Sequence, residues 1–227
     1  MYRIGMVNVG QSPEIELIPY LRQAFTKPVE VIEKGILDEL DPQAIAALAP
    51  DPGEVGTVSR LRDGSLILVA HRKILPLVQQ TVDYLVKEGA QFCVVLCGAD
   101  WSSITSSRLV VNPGRVFPSI ISSLAAGKKL GIIKPSAGQI EREKKRYAGL
   151  GIESAVTSAP PSIDDSRLVA AREAANYLKS QDVDLVWMTC VAMDKEMRAI
   201  VEEVVGKPVI LARTLLSSVL NELVPSN

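Results

Sequence analysis

Two stretches of the chain, 93 residues apart, read as copies of one another, and each ends in a cysteine. The first runs from Asp83-Tyr84-Leu85 to Phe92-Cys93-Val94-Val95-Leu96-Cys97. The second runs from Asn176-Tyr177-Leu178 to Leu185-Val186-Trp187-Met188-Thr189-Cys190. Cys97 and Cys190 each lie 13 residues after the tyrosine, at the end of an apolar run. A helix end, a turn and a buried strand, repeated with one spacing, constrain the chain to a duplicated α/β fold. Such a fold can turn two strand ends, and here two thiols, toward one cleft.

The repeat extends to other segments. Arg3-Ile4-Gly5-Met6-Val7 matches Lys129-Leu130-Gly131-Ile132-Ile133 at a separation of 126 residues, which exceeds the later separation by 33. The first half therefore carries an insertion, expected at about 36–70. Within it, Asp63-Gly64 between two apolar runs predicts a β-hairpin arm or lid. Short apolar runs alternate with helical patterns elsewhere, which predicts parallel sheets flanked by helices. The helix after His71 shows the pattern: Ile74, Leu77, Val78, Thr81, Val82 and Leu85 form one stripe at three- and four-residue steps. Helices are expected over Glu14–Phe25 and His71–Glu88, among others. The predicted organisation is a first lobe over 1–112, a second over 113–211, and a C-terminal helix over 212–227 that packs back on the first lobe.

With 47% hydrophobic and only 4% aromatic residues, the core is aliphatic, as in buried parallel strands. A net charge of −1 and the lack of a basic tract give no nucleic-acid footprint. No apolar run reaches the length of a membrane span, and the N-terminus has no signal-peptide pattern, so a cytoplasmic protein is expected. Three cysteines do not make a disulfide framework, and a single histidine argues against a zinc site. No P-loop and no G-x-G-x-x-G occurs, so neither a metal nor a cofactor is expected. A homodimer is the expected oligomer by base rate.

Cys97 and Cys190 end predicted parallel strands, where open α/β sheets place their ligands. A following helix start favours the thiolate. Buried, chemically inert thiols are the competing reading. Cys93 lies mid-strand and reads as core. The loop Gly10-Gln11-Ser12-Pro13-Glu14 offers Gln11, Ser12 and helix amides to an anion, or else an ordinary N-cap. Lys134-Pro135-Ser136-Ala137-Gly138-Gln139 repeats that character, which adds Ser136. Asp100, in the hydroxyl-rich loop after Cys97, is a candidate for orienting an amine, acting as a base or holding a cation. Asp194 reads as an N-cap, and His71 as a surface or hinge residue.

The duplicated frame with a cysteine in each half resembles the aspartate/glutamate/hydantoin racemase superfamily. Val110-Val111-Asn112-Pro113-Gly114, followed by a helix and Gly127-Lys128-Lys129-Leu130-Gly131, is similar to the inter-lobe passage of glutamate racemases. A nearer resemblance, over almost the whole chain, is to the AroM family of bacterial proteins. It rests on Gly10-Gln11-Ser12-Pro13, Ser102-Ser103-Ile104-Thr105, Asp184 through Cys190, and Pro208-Val209-Ile210-Leu211. The superfamily resemblance implies a cofactor-independent racemase or isomerase acting on a small carboxylic or amino acid. It further implies that Cys97 and Cys190 are the acid/base pair, with Gln11, Ser12 and Ser136 holding the carboxylate. Racemases usually carry Asn-Thr after the first cysteine and a threonine after the second. Here Gly98-Ala99-Asp100 and Val191-Ala192-Met193 stand in those places. Two readings therefore stay open on sequence: an enzyme of this class, and a small-molecule binder or sensor that kept the fold and lost the reaction.

Overall fold

The computed structural model describes residues 1–225. The chain forms two compact units: Met1–Val116 with the residues from Ser217 onward, and Phe117–Leu216. The first unit contains β1 (Tyr2–Asn8), α1 (Leu17–Ala24), β2 (Val29–Gly35), α2 (Pro42–Ala47), β3 (Gly56–Arg60), β4 (Leu66–Ala70), α3 (His71–Lys87), β5 (Phe92–Val95) and β6 (Leu109–Val111). Helix α4 (Pro113–Leu124) starts in the first unit and ends in the second. The second unit continues with β7 (Leu130–Lys134), a 3-10 turn at Ala137–Gln139, α5 (Ile140–Ala148), β8 (Ser154–Ser158), α6 (Ser166–Ser180), β9 (Leu185–Met188), α7 (Lys195–Val205) and β10 (Val209–Leu211). Helix α8 (Ala212–Leu223) closes the described chain.

Both main sheets are parallel and share one strand order. The first reads β2-β1-β5-β6 and the second β8-β7-β9-β10. The expected duplication is thus present strand for strand. Each sheet has an aliphatic core of its own. Val7, Ile74, Val78, Val82, Leu85 and Val95 are buried in the first, and Ile133, Leu178, Val186, Met188, Met197 and Val201 in the second. Each fully buried aliphatic side chain of this kind stabilises the fold by about 1.5–3 kcal/mol.

The repeated Tyr-Leu and Gly positions have a common packing reason. A Cβ added at Gly5 would lie 2.8 Å from the Cys93 sulfur and 3.1 Å from the Leu85 Cβ. A Cβ added at Gly131 would lie 3.1 Å from a Leu178 methyl and from Val183. In each unit, the first strand uses glycine where a leucine of the helix preceding the neighbouring strand, α3 before β5 and α6 before β9, comes down onto the sheet. The glycine is needed because helix and strand approach closely, not for an unusual backbone angle.

The insertion in the first half is α2 and an antiparallel hairpin of β3 and β4, paired from Gly56 with Ala70 to Arg60 with Leu66. Gly64, at φ 88°, makes the turn, and the Asp63 carboxylate accepts from the Ser65 N–H at 2.9 Å. The arm is tied to the loop after β1. The Gln11 N–H donates to the Arg60 carbonyl at 3.0 Å, and the Ser59 hydroxyl donates to the Val9 carbonyl. The approach leaves no room for a side chain at Gly10, whose Cβ would sit 2.1 Å from the Arg60 oxygen.

Helix α1 begins at Leu17, three residues later than the sequence pattern suggests. The reason is local. The Glu14 carboxylate turns back to accept from the N–H groups of Glu16 at 3.1 Å and Ile18 at 3.0 Å, and also from that of Leu17. A carboxylate that caps three amides cannot itself be part of the helix it caps. Near the other end of the chain, Asn221 accepts from the Thr26 N–H at 2.9 Å and donates to the Ala24 carbonyl at 2.9 Å.

Candidate functional site

The two cysteines hold equivalent places in the two sheets. Strand β5 ends at Val95 and β9 at Met188, so each thiol lies two residues beyond the C-terminal end of its strand. Both are partly buried, and neither is disulfide-bonded. Cys93 is fully buried, and burial pushes its thiol up to about 11.

Beyond the cysteines, the two units part ways. The Cys97 N–H closes a tight turn onto the Val95 carbonyl at 2.8 Å, and the Cys97 carbonyl accepts from the Trp101 indole N–H at 3.4 Å. Trp101 is buried and packs at a tilt of 40° against His71, ring centroids 4.5 Å apart. His71, expected as a surface or hinge residue, is half-buried at the junction of β4 and α3, and its ring partner comes from a loop 30 positions away. No helix follows Cys97 directly. The start of α4 packs there instead: a Cβ at Gly114 would fall 1.9 Å from the Ala99 carbonyl oxygen. After Cys190 the chain makes one turn, with the Met193 N–H on the Cys190 carbonyl at 3.1 Å, and enters α7. Asp194 caps that helix, as expected, by accepting from the Met197 N–H at 2.8 Å.

Asp100 accepts from the Ser102 N–H at 2.9 Å, from the Ser102 hydroxyl and from Asn112 Nδ2 at 3.1 Å. The Ser102 hydroxyl, opposed by slight burial and aided by Asn112 and the Arg115 charge, holds the carboxyl below its ordinary value. Asp100 is thus an ionised acceptor, suited to a cation or an amine and poorly suited to taking a proton near neutrality.

Gln11 and Ser12 are held by their own loop. The Ser12 hydroxyl donates to Asp38 Oδ2 at 2.6 Å, and the Ser12 N–H donates to Asp38 Oδ1 at 2.7 Å. Gln11 Oε1 accepts from the Arg62 N–H at 2.9 Å, and Arg62 Nε donates to the Ser12 carbonyl at 2.9 Å. The amides of the α1 start, expected to be open to an anion, already face Glu14. Glu33 stands behind them and accepts from the Glu14 N–H at 2.8 Å; burial first, then the nearby Glu14 and Asp38 charges, raises its carboxyl despite hydrogen bonds from Glu14 and Asn8. Ser136 is partly buried at the start of the 3-10 turn, where its carbonyl accepts from the Gln139 N–H at 3.1 Å.

Two further polar residues stand out only in the tertiary structure. Lys134, the last residue of β7, is only 8% exposed, and its Nζ lies 3.4 Å from Glu143 Oε2, also buried. Arg213 is buried and donates to the carbonyls of Val191 at 3.0 Å and Ala192 at 2.8 Å, fixing the turn after Cys190. The sequence signal for Lys134 is a lysine closing an otherwise apolar strand; Arg213 gives none beyond its place at a helix start.

No group of histidine, cysteine and acidic side chains among the described residues could hold a metal ion, and no described helix is long and apolar enough to cross a membrane. Two parallel sheets of one order, each with a thiol just past its third strand, define an α/β fold of the aspartate/glutamate racemase type. Over 98% of this chain and 94% of the other, it matches Picrophilus torridus aspartate racemase with a TM-score of 0.60 at 15% identity. Glutamate racemase from Aquifex pyrophilus matches at 0.58 and 15% identity, over 99% of this chain and 84% of that one. The maleate isomerase Iso from Pseudomonas putida S16 matches at 0.57 and 14% identity, over 98% and 92%. At these identities the likeness is one of fold. No curated protein matches the chain in sequence. The AroM protein family model matches residues 4–224, and the chain belongs to that family.

Proposed function

We propose that this protein is a cofactor-independent racemase- or isomerase-like enzyme acting at a carbon beside the carboxylate of a small carboxylic or amino acid. Cys97 and Cys190 are its acid/base pair. The observation that carries the reading is their matched register: each thiol stands two residues beyond the third strand of a sheet with the same strand order. Similarity in fold to two racemases and an isomerase supports it.

The chemistry asks for two thiols on opposite faces of one carbon. A thiolate takes the α-proton, and a thiol delivers another to the opposite face, so the net protonation of the pair is unchanged. Negative charge develops on the carboxylate in between and needs donors or cations. Ser136 and Gln11 are the proposed carboxylate contacts. Asp100, being ionised, is proposed to face an amine or hydroxyl of the substrate. Ser12, whose proton is committed to Asp38, is proposed to act through its lone pairs, as an acceptor from the same kind of donor.

The test is α-proton exchange into deuterated water over a panel of amino and dicarboxylic acids. Exchange with at least one compound, lost in Cys97→Ser and Cys190→Ser, is expected. A short bifunctional thiol reagent should also join the two cysteines within one chain. No exchange with any compound, or exchange indifferent to both substitutions, overturns the reading.

A second reading, a non-catalytic binder or sensor, is favoured by one observation. Val191 and Met193, just after Cys190, are buried in the core and offer no hydroxyl to a substrate. A binder would show ligand-dependent stabilisation without turnover, about 2.7 kcal/mol at a ligand concentration one hundred times Kd.

A further inference from the structure

The hairpin arm of the first unit holds a cavity between α2 and β4, with a volume of about 580 Å³. That size falls within the range of about 300–1,000 Å³ common to small-molecule sites. Among the described residues, β4 pairs with β3 alone, so its other edge is free. Ile67 and Leu68, consecutive in β4, point to opposite faces of the hairpin, and both line the cavity, which therefore wraps that free edge. Ile45 of α2 and Leu61 complete the apolar wall. The back of the cavity is pinned. The Leu48 carbonyl accepts from the Ala70 N–H at 2.7 Å, and Lys73 Nζ donates to the carbonyls of Ala47 at 3.2 Å and Ala49 at 2.7 Å.

The mouth is polar and is made by Gln11, Arg62 and Asp63. Gln11 Oε1 accepts from the Arg62 N–H, which leaves Nε2 with no acceptor among the described residues. Arg62 uses Nε on the Ser12 carbonyl and Nη2 on Asp38 at 3.4 Å, and Nη1 has no acceptor among the described residues. Asp63 takes both Ser65 donors on Oδ1, and its Oδ2 has no donor among the described residues. Asp38, behind Arg62, is already engaged by Ser12 and the Gly35 N–H.

A singly exposed leucine needs no explanation, but four apolar side chains around one pinned cavity with a polar mouth have the make-up of a ligand site. The charges at the mouth narrow the ligand. An apolar acid without an amine would bring its carboxylate toward Asp63 with nothing to answer it. An apolar amine without a carboxylate would leave Arg62 and Gln11 unanswered. A zwitterion matches one cation, one anion and one amide donor together.

We propose that the arm binds an amino acid with a large apolar side chain: its carboxylate on Gln11 and Arg62, its ammonium on Asp63, and its side chain between α2 and β4. The site goes beyond the two-thiol reading. It lies within the first unit, shares only Gln11 with that reading, and requires no reaction.

The test is titration calorimetry of the full-length chain with L-phenylalanine and L-leucine. L-alanine, 3-phenylpropanoate and phenethylamine serve as controls that lack the apolar group, the amine and the carboxylate in turn. Phenylalanine and leucine should bind, and each control should bind at least about tenfold more weakly, as expected for the loss of one charged hydrogen bond or of the buried apolar group. Asp63→Asn, which keeps an acceptor for Ser65, should weaken phenylalanine about tenfold and leave 3-phenylpropanoate unchanged. Leu68→Ser should weaken both; Leu68 is 46% exposed, so the variant should unfold at the wild-type temperature. Cys97→Ser and Cys190→Ser should bind phenylalanine as the wild type does, so failure of the two-thiol reaction and failure of the arm site are separate results. No binding of either amino acid, binding of 3-phenylpropanoate as tight as that of phenylalanine, or binding indifferent to Asp63→Asn and Leu68→Ser would overturn the proposal.

Discussion

The Ser12 hydroxyl donates to the Asp38 carboxylate at 2.6 Å, and Asp38 accepts in addition from the Ser12 N–H, the Gly35 N–H at 2.8 Å and Arg62. One carboxylate thus gathers the loops after β1 and β2 and the arm. Removing one hydrogen bond to a charged acceptor costs about 1.5–3 kcal/mol, so Ser12→Ala should fall at the low end of that range. Asp38→Ala should cost more, because it strands several donors at once. Urea unfolding of the two variants checks the order.

Gly5 and Gly131 occupy matched strand positions but face different neighbours. At Gly5 the first obstacle is the Cys93 sulfur, in a rigid, fully buried site. At Gly131 the obstacles are the methyl ends of Leu178 and Val183, which can turn aside. Overpacking a core costs typically about 1–3 kcal/mol, so Gly5→Ala is expected near the top of that range and Gly131→Ala below its bottom. Thermal unfolding of both proteins decides it.

Asp194 links cap, ion pair and pH. Burial alone would raise its carboxyl; the Met197 N–H, Arg167 at 2.7 Å and the Arg213 charge together hold it below its ordinary value. Its folded value lies below its unfolded one, so its stabilisation is full above about pH 4 and is lost as pH falls through the folded value. Asp194→Ala should cost about 1–2 kcal/mol at neutral pH. The variant should also lose less stability than the wild type on acidification, as stability measured at a series of pH values will show.

Cys93 carries a prediction of the opposite sign. Its thiol, raised to about 11 by burial, keeps its proton in the folded state where the unfolded chain would lose it, from about 9 upward. Stability should therefore decline between pH 9 and 11 more in the wild type than in Cys93→Ala. Native labelling near neutral pH should modify Cys97 and Cys190 and spare Cys93 until the chain unfolds.

Tyr147 offers a substitution that should not harm. Its hydroxyl is buried without a hydrogen-bond partner among the described residues, and burial, with the Glu143 charge, raises its ionisation. Removing an unsatisfied buried hydroxyl is neutral or stabilising, so Tyr147→Phe should change stability by at most about 1 kcal/mol, upward if at all. A clear loss in calorimetry would mean the hydroxyl has a partner in solution.

The fold was legible because its signals are local and repeated. The spacing of Tyr84 to Cys97 and Tyr177 to Cys190 encodes a helix, a turn and a strand whatever lies around them. The 33-residue mismatch located α2 and the hairpin, and Asp63-Gly64 marked its turn. Candidate residues were legible as positions but not as partners. Ser12 reads as a donor until Asp38, from the end of another strand, takes its proton. His71 reads as solvated until Trp101 packs against one side of its ring.

By itself, the sequence determined the duplicated α/β pattern, the aliphatic cores and the matched place of Cys97 and Cys190, because periodicity and spacing are properties of neighbours along the chain. Only the tertiary structure decided which polar groups are already engaged: Glu14 on the α1 amides, Asp38 on Ser12, Arg213 on the turn after Cys190. It also decided that Lys134 is buried and paired with Glu143. Desolvation and pairing depend on what other strands and helices bring to a side chain, and no local pattern encodes that.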